Sequence, residues 1–225
     1  MLKCDVRKYF ASIDHQILNG LLGRAIKCRP TLDLAARIID GWNAQEEAIA
    51  WFTGDDLFAP FERRRGLPLG NQTSQFFANV YLDPLDQHVN RALRPDGYVR
   101  YVDDFLVFSR SKAKLAEMRA GMETVLEGLR LRMHEGKSRV YRCADGVTFL
   151  GWWVFPDRSR LVRENVARFR RRLREMERGF KEGRLSRQEI QMRIHSWIGH
   201  AAAGNTWSLR GQLFAGFTLV KGSAV

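Results

Sequence analysis

Three carboxylates in this sequence stand where carboxylates are costly. Asp5 follows the mostly apolar start "MLKC", and Asp103 and Asp104 interrupt "VRYVDDFLVF", which is β-prone on both sides. An ionised carboxylate in apolar surroundings needs a compensating cation. Two or three that converge suit a hard divalent ion with oxygen ligands, Mg²⁺ above all. Two such ions about 4 Å apart can activate an attacking hydroxyl and stabilise a leaving pyrophosphate. Neighbouring strand residues point to opposite faces, so a turn at Asp103–Asp104 is what would free both acids to serve one site. Asp-Asp is equally an ordinary turn signal, and "YVDD" alone leaves both readings open.

The elements that must position these acids follow from periodicity and punctuation. "MLKCDV" is β-compatible, and "SIDHQILNGLLGRAI" has helical spacing with Ser12 as N-cap. A second helix is expected from about Thr31 to Trp42, followed by the basic loop "FERRRGLPLG". "NQTSQFFANVYLDPLDQHV" reads as a mostly helical segment, interrupted or bent at Pro84. "YVRYV" and "FLVF" form a hairpin about the acid pair, and a helix follows from about Lys112 to Arg130. "SRVYRC" and "VTFLGWWVF" read as strands joined by the turn signal "ADG".

Composition bounds the partners. The 225 residues carry 37 Lys+Arg against 25 Asp+Glu, a formal charge of +12, which favours a polyanion: nucleic acid first, an anionic membrane surface second. Residues 157–225 hold 15 of these cations and 6 of the acids, so +9 of the +12 lies there, and a domain boundary is placed near 157. Three cysteines without a C-x-x-C pair fit a reducing, cytoplasmic compartment, with all three expected in the core. No apolar run has the length of a membrane span, and with nucleic acid the favoured polyanion no membrane partner is expected.

The segments around the acids resemble the palm motifs of reverse transcriptases. "CDVRKYFASIDHQIL" is similar to the first motif, which implies Asp5 and the Val6 carbonyl as metal ligands. Phe10 matches the aromatic gate whose ring would clash with a ribose 2′-hydroxyl and so select deoxynucleotides. "GLPLGNQTSQFFANVYLDPLD" is similar to the second motif and makes Leu69, Gly70 and Gln72 nucleotide-binding candidates. "YVDD" then stands in the place of the metal-binding hairpin, with Asp103 the main ligand beside Asp5 and Asp104 close by. "HEGKSRV" resembles the motif whose Lys137 would polarise or protonate the leaving pyrophosphate. "FLGWWV" is similar to the primer grip, which puts Gly151, Trp152 and Trp153 at the primer.

The resemblance covers residues 2 to about 155. It implies an α+β fold: a palm over residues 1–156, an antiparallel sheet backed by helices, and a basic helical thumb over 157–225. The implied activity is RNA-directed DNA synthesis with two Mg²⁺ ions, Mn²⁺ being a substitute. The implied partners are an RNA template with a DNA or RNA primer, and dNTPs. Arg171 and Arg174 of the thumb are template–primer candidates. Arg63, Arg64 and Arg65 are either phosphate contacts or a solvated loop.

Leu69 stands where many reverse transcriptases carry Gln, and Ser74-Gln75 where many have Ser-Pro. This pattern, and "SWIGHAAAGNTWSLR", is similar to the error-prone enzymes of diversity-generating retroelements. Such systems add a small basic accessory protein and a structured RNA to the implied partners. Gln can hydrogen-bond near the incoming sugar whereas Leu cannot, and a looser site discriminates less. Core packing is the competing reading of Leu69. The alternatives are a retron-like or abortive-infection-type reverse transcriptase and a catalytically silent nucleic-acid-binding fragment. The family has a fingers region ahead of its first motif, yet Asp5 stands fifth here, so fingers are expected from a longer reading frame or another chain.

Overall fold

The structure is a computed structural model that describes residues 1–44 and 50–220; the last five positions of the basic segment lie outside it. The chain divides into two compact units, Met1–Tyr141 and Arg142–Val225. The division precedes the composition step at 157. Its cause is strand pairing: the strands after Arg142 pair with one another and not with the first sheet.

In the first unit, β1 (Leu2–Asp5) leads through the short α1 (Tyr9–Ser12) to α2 (His15–Ala25) and α3 (Arg29–Asp40). The N-cap of α2 is Asp14, whose side chain accepts from the Ile17 N–H at 3.0 Å, and not Ser12, which closes α1 by donating to the Lys8 carbonyl. After α4 (Ala59–Glu62) come α5 (Gln72–Tyr81) and α6 (Asp83–His88). The chain breaks at Leu82, and Pro84 falls in the first turn of α6, where its missing N–H costs nothing. A π-helical turn, Val89–Leu93, precedes β2 (Gly97–Tyr101), β3 (Asp104–Phe108), α7 (Lys112–Gly128) and β4 (Arg139–Val140).

The first sheet is antiparallel in the order β2-β3-β1-β4. Strand alternation gives it two unlike faces. Leu2, Cys4, Phe105 and Val107 are fully buried on one face, packed in a common core with Leu18, Leu22, Phe77, Tyr81, Leu85, Met122 and Leu126 of the helices. Burying each large side chain contributes about 1.5–3 kcal/mol, which fixes the register. The other face carries Lys3, Asp5, Asp104 and, on β2, the exposed Val99 and Tyr101.

The second unit opens with β5 (Val147–Phe149), β6 (Trp152–Val154) and β7 (Ser159–Leu161), then α8 (Arg163–Lys181), α9 (Arg187–Ala201) and α10 (Trp207–Phe214). "VTFLGWWVF" is therefore a hairpin and not one strand. It reverses at Leu150 (φ 50°) and Gly151 (φ 82°), the paired positive φ angles of a two-residue turn. "SRVYRC" belongs to the first sheet, where Val140 pairs with Leu2. Phe169, Leu173 and Met176 line one stripe of α8 and pack with Ile190 and Leu213, while Trp197 stacks flat on Phe169 at 3.8 Å. The Ser186–Glu189 capping box starts α9.

The three cysteines are free, but only Cys4 lies in the core; Cys28, at the N-cap of α3, and Cys143, in a surface turn, are exposed. Among the described residues, no helix is long and apolar enough to cross a membrane.

Candidate active site

Register brings two of the three acids together. Asp5, last in β1, lies directly opposite Asp104, first in β3, so both side chains emerge on the face away from the core. The "HEGKS" turn wraps the end of β1. The Asp5 N–H reaches Ser138 Oγ at 3.4 Å, and the His134 N–H donates to the Asp5 carbonyl at 2.8 Å. Lys137 Nζ then stands 3.3 Å from both Asp5 carboxylate oxygens. Val6 forms an isolated bridge with Met133 whose hydrogen bonds belong to Arg7–Arg132 and His134–Asp5. Antiparallel geometry therefore turns the Val6 carbonyl away from Met133, toward the side where β3 lies.

Asp103 occupies the hairpin turn, and Asp104 is already in the strand, so the pair straddles the turn's edge. Val102, the first turn residue, has φ 57°. A β-branched residue in that region carries strain of about 1–3 kcal/mol, which the surrounding structure must hold. Burial raises the Asp103 carboxyl above its ordinary value, and the charges of Asp5 and Asp104 push it further. Asp104 is raised by burial and by Asp5, against the opposing pull of Lys3 and Lys137. One Asp104 oxygen, Oδ1, is buried without a hydrogen-bond partner.

These observations bear on whether the site suits divalent cations. Among the described residues, no three His, Cys, Asp or Glu groups are arranged as a ready metal cage. The donor set is nevertheless all hard oxygen, and an orphaned carboxylate oxygen beside two mutually repelling acids is what a cation would satisfy. The backbone register brings Asp5 and Asp104 to one face.

The nucleotide-pocket candidates sit on a neighbouring scaffold. The Leu67 N–H donates to the Phe10 carbonyl at 2.9 Å and the Gly66 N–H to Ile13 at 2.8 Å, stitching the "GLPLG" loop to α1. Tyr9, next to Phe10, is buried with its phenol raised, and Asp103 is among the charges acting on it. Leu69 is 79% exposed, which removes core packing as its role. Gly70 takes φ 97°, and Gln72 opens α5 on the surface.

The arginine run is corrected. Arg63 pairs with Asp14 at 3.4 Å and with Asp55, its side chain only 6% exposed, and Arg130 reaches the same Asp14 oxygen at 2.7 Å. Arg65 is buried, with Asp14 opposite it in an isolated bridge. Neither the phosphate-contact nor the solvated-loop reading holds for these two, because their guanidinium groups belong to the interior. Arg64 alone is exposed, donating to the Asp40 carbonyl at 2.6 Å. Arg63 and Arg65 thus act as a strut of the interior.

In the second unit, Gly151 turns the hairpin and Trp152 faces inward, 5.6 Å from the His200 ring. Trp153 points outward, stacked on Phe155, which Arg158 covers in turn. Arg171 is solvent-exposed beside Glu175, and Arg174 lines a 700 Å³ groove with Arg160, Arg163 and Arg170. Arg172, Arg178, Arg184 and Arg193 border a separate 890 Å³ cavity, so the basic residues of α8 serve two faces. Sequence reading missed Ser138, Arg100 and Asp86. The available signal was Arg100's place on the core side of an alternating strand, where a charge requires a partner.

The family model described as "Reverse transcriptase (RNA-dependent DNA polymerase)" matches residues 1–154. Among curated proteins, Protein YkfC of Escherichia coli (strain K12) is similar: 24% identical over 193 residues, covering 71% of this chain and 48% of that protein. The chain spans about half the length of the curated relative it matches.

Proposed function

The chain belongs to the reverse transcriptase (RNA-dependent DNA polymerase) family, and on that premise we propose that its first unit performs RNA-templated DNA synthesis at the Asp5, Asp103 and Asp104 site. The observation that carries this reading is the Asp5–Asp104 register, with Asp103 in the adjoining turn and Lys137 against Asp5 on the same face. Bound there, a pair of Mg²⁺ ions, or Mn²⁺ in their stead, would lower the pKa of the primer 3′-hydroxyl and neutralise the leaving pyrophosphate. Asp5 and Asp103 would hold them, with Asp104 and the Val6 carbonyl completing the oxygen set.

The remaining roles fall to this chain's own side chains. Lys137 is exposed on a turn hinged at His134 and can swing from Asp5 to donate a proton to pyrophosphate oxygen. Phe10 blocks a ribose 2′-hydroxyl by bulk, and Leu69, Gly70 and Gln72 border the incoming nucleotide. Trp153, on the open face of its hairpin, supplies a stacking surface for the primer, and Arg171 and Arg174 bind phosphate. The exposed Leu69 offers an apolar contact without a hydrogen bond, which supports the error-prone, diversity-generating class.

Single-nucleotide primer extension on an adenine-rich RNA template, with and without Mg²⁺, tests the proposal. Mg²⁺-dependent product that Asp103→Asn abolishes is expected, with misincorporation concentrated at template adenines. Product indifferent to Asp103→Asn refutes the site, uniform fidelity at adenine refutes the error-prone class, and nucleic-acid binding without product leaves a silent binding fragment.

A further inference from the structure

Arg100 lies in β2, on the face opposite the acids, and spends every arm of its guanidinium. Nε donates to Asp86 Oδ1 at 2.8 Å, and Nη2 pairs with Asp86 Oδ2. Nη1 donates to Asn79 Oδ1 at 3.0 Å and to the Val102 carbonyl at 2.9 Å. Tyr98 adds a hydroxyl to Asp86 Oδ1 at 2.7 Å. Asp86 and Asn79 belong to α6 and α5, so the guanidinium ties two helices to the carbonyl of the residue with the strained φ of 57°. Its planar fork allows both attachments at once, which a lysine cannot reproduce.

We propose that Arg100 is the positioning residue of the acid hairpin: anchored on Asp86 and Asn79, it holds Val102 in its left-handed conformation and thereby fixes where Asp103 stands relative to Asp5. Its charge is spent on Asp86, so its effect on Asp103 is geometric, exerted through the turn. Without the clamp, Val102 relaxes to a negative φ and the Asp103 carboxylate leaves its place beside Asp5 and Asp104. The inference rests on the reading of Asp103 as a metal ligand.

The test measures Mn²⁺ affinity by the loss of the free-ion EPR signal, using the full chain without nucleic acid. Wild type is expected to bind Mn²⁺ in a manner that Asp103→Asn abolishes. Arg100→Gln is expected to weaken that binding by about tenfold while circular dichroism stays unchanged. Val102→Gly accepts positive φ without strain, so the Arg100→Gln/Val102→Gly double variant should recover most of the loss. Asp86→Asn, which keeps the Tyr98 bond, should weaken binding in the same direction and covers the case in which Arg100→Gln does not fold. Wild-type binding that Asp103→Asn leaves intact overturns the metal reading and the clamp with it. Asp103-dependent binding that survives Arg100→Gln or Asp86→Asn, or losses that simply add in the double variant, overturns the clamp alone.

Discussion

Replacing Arg63 with alanine should destabilise the first unit and leave nucleic-acid affinity unchanged. Arg63 is enclosed: its guanidinium pairs with Asp14, 1% exposed, and with Asp55, and it also covers the Phe52 ring at 5.6 Å. It holds the Asp55 carboxyl below the usual range. Removing one partner of a buried pair costs about 3–5 kcal/mol, because the other charge is left uncompensated. Arg130 remains on Asp14, which places the expected loss near the lower end, about 3 kcal/mol. With a urea dependence of about 2 kcal/mol per molar, the midpoint falls by about 1.5 M. Arg64→Ala, exposed and one residue away, should stay within about 0.5 kcal/mol of wild type. Urea titration followed by hydrogen-exchange mass spectrometry on peptides from residues 1–141 separates this unit from the other. Equal midpoints for Arg63→Ala and Arg64→Ala, with weakened RNA affinity in the former, would refute the strut assignment and restore the phosphate contact.

Further outcomes follow from other parts of the structure. Asp103 and Asp104 have raised carboxyl pKa values, so the native state binds more protons than the unfolded one from the ordinary carboxylate value upward, and stability falls as pH rises through that window. In chelator, Asp104→Asn should therefore raise the melting temperature at pH 7, and the advantage should vanish below about pH 4; a lower melting temperature at pH 7 would contradict it. A Cβ on Gly204 would come within 2.4 Å of the Trp152 ring, so Gly204→Ala should destabilise the second unit by about 1–3 kcal/mol in a thermal melt. Arg171→Gln and Arg174→Gln should each lower the slope of log affinity against log salt for an RNA–DNA duplex by about 1, measured by fluorescence anisotropy.

Much of this was legible because local chemistry and global fold agree. Alternation in "LKCD" marks one buried face, and the apolar run "FLVF" marks a strand buried along its centre. The acid pair's context separated it from ordinary turns once the flanking motifs were recognised. Three features escaped because they depend on distant partners. Arg63 and Arg65 look like a surface run until Asp14, about fifty positions earlier, is folded against them. The pairing of "SRVYRC" with Leu2, and not with the strand that follows it, is a long-range choice that turn signals cannot reveal. The clamp at Arg100 needs α5 and α6 brought beneath β2, and neither helix advertises that contact in its own periodicity.

On the proposed reading, Asp5 and Asp103 jointly hold the divalent ions of nucleotidyl transfer. Its most direct test is a crystal of the full chain grown with Mn²⁺, examined by anomalous scattering. Two peaks about 4 Å apart are expected, touching the Asp5 and Asp103 carboxylates, with Lys137 displaced from Asp5. Density with Lys137 still on Asp5 and no anomalous peak at either carboxylate would contradict it.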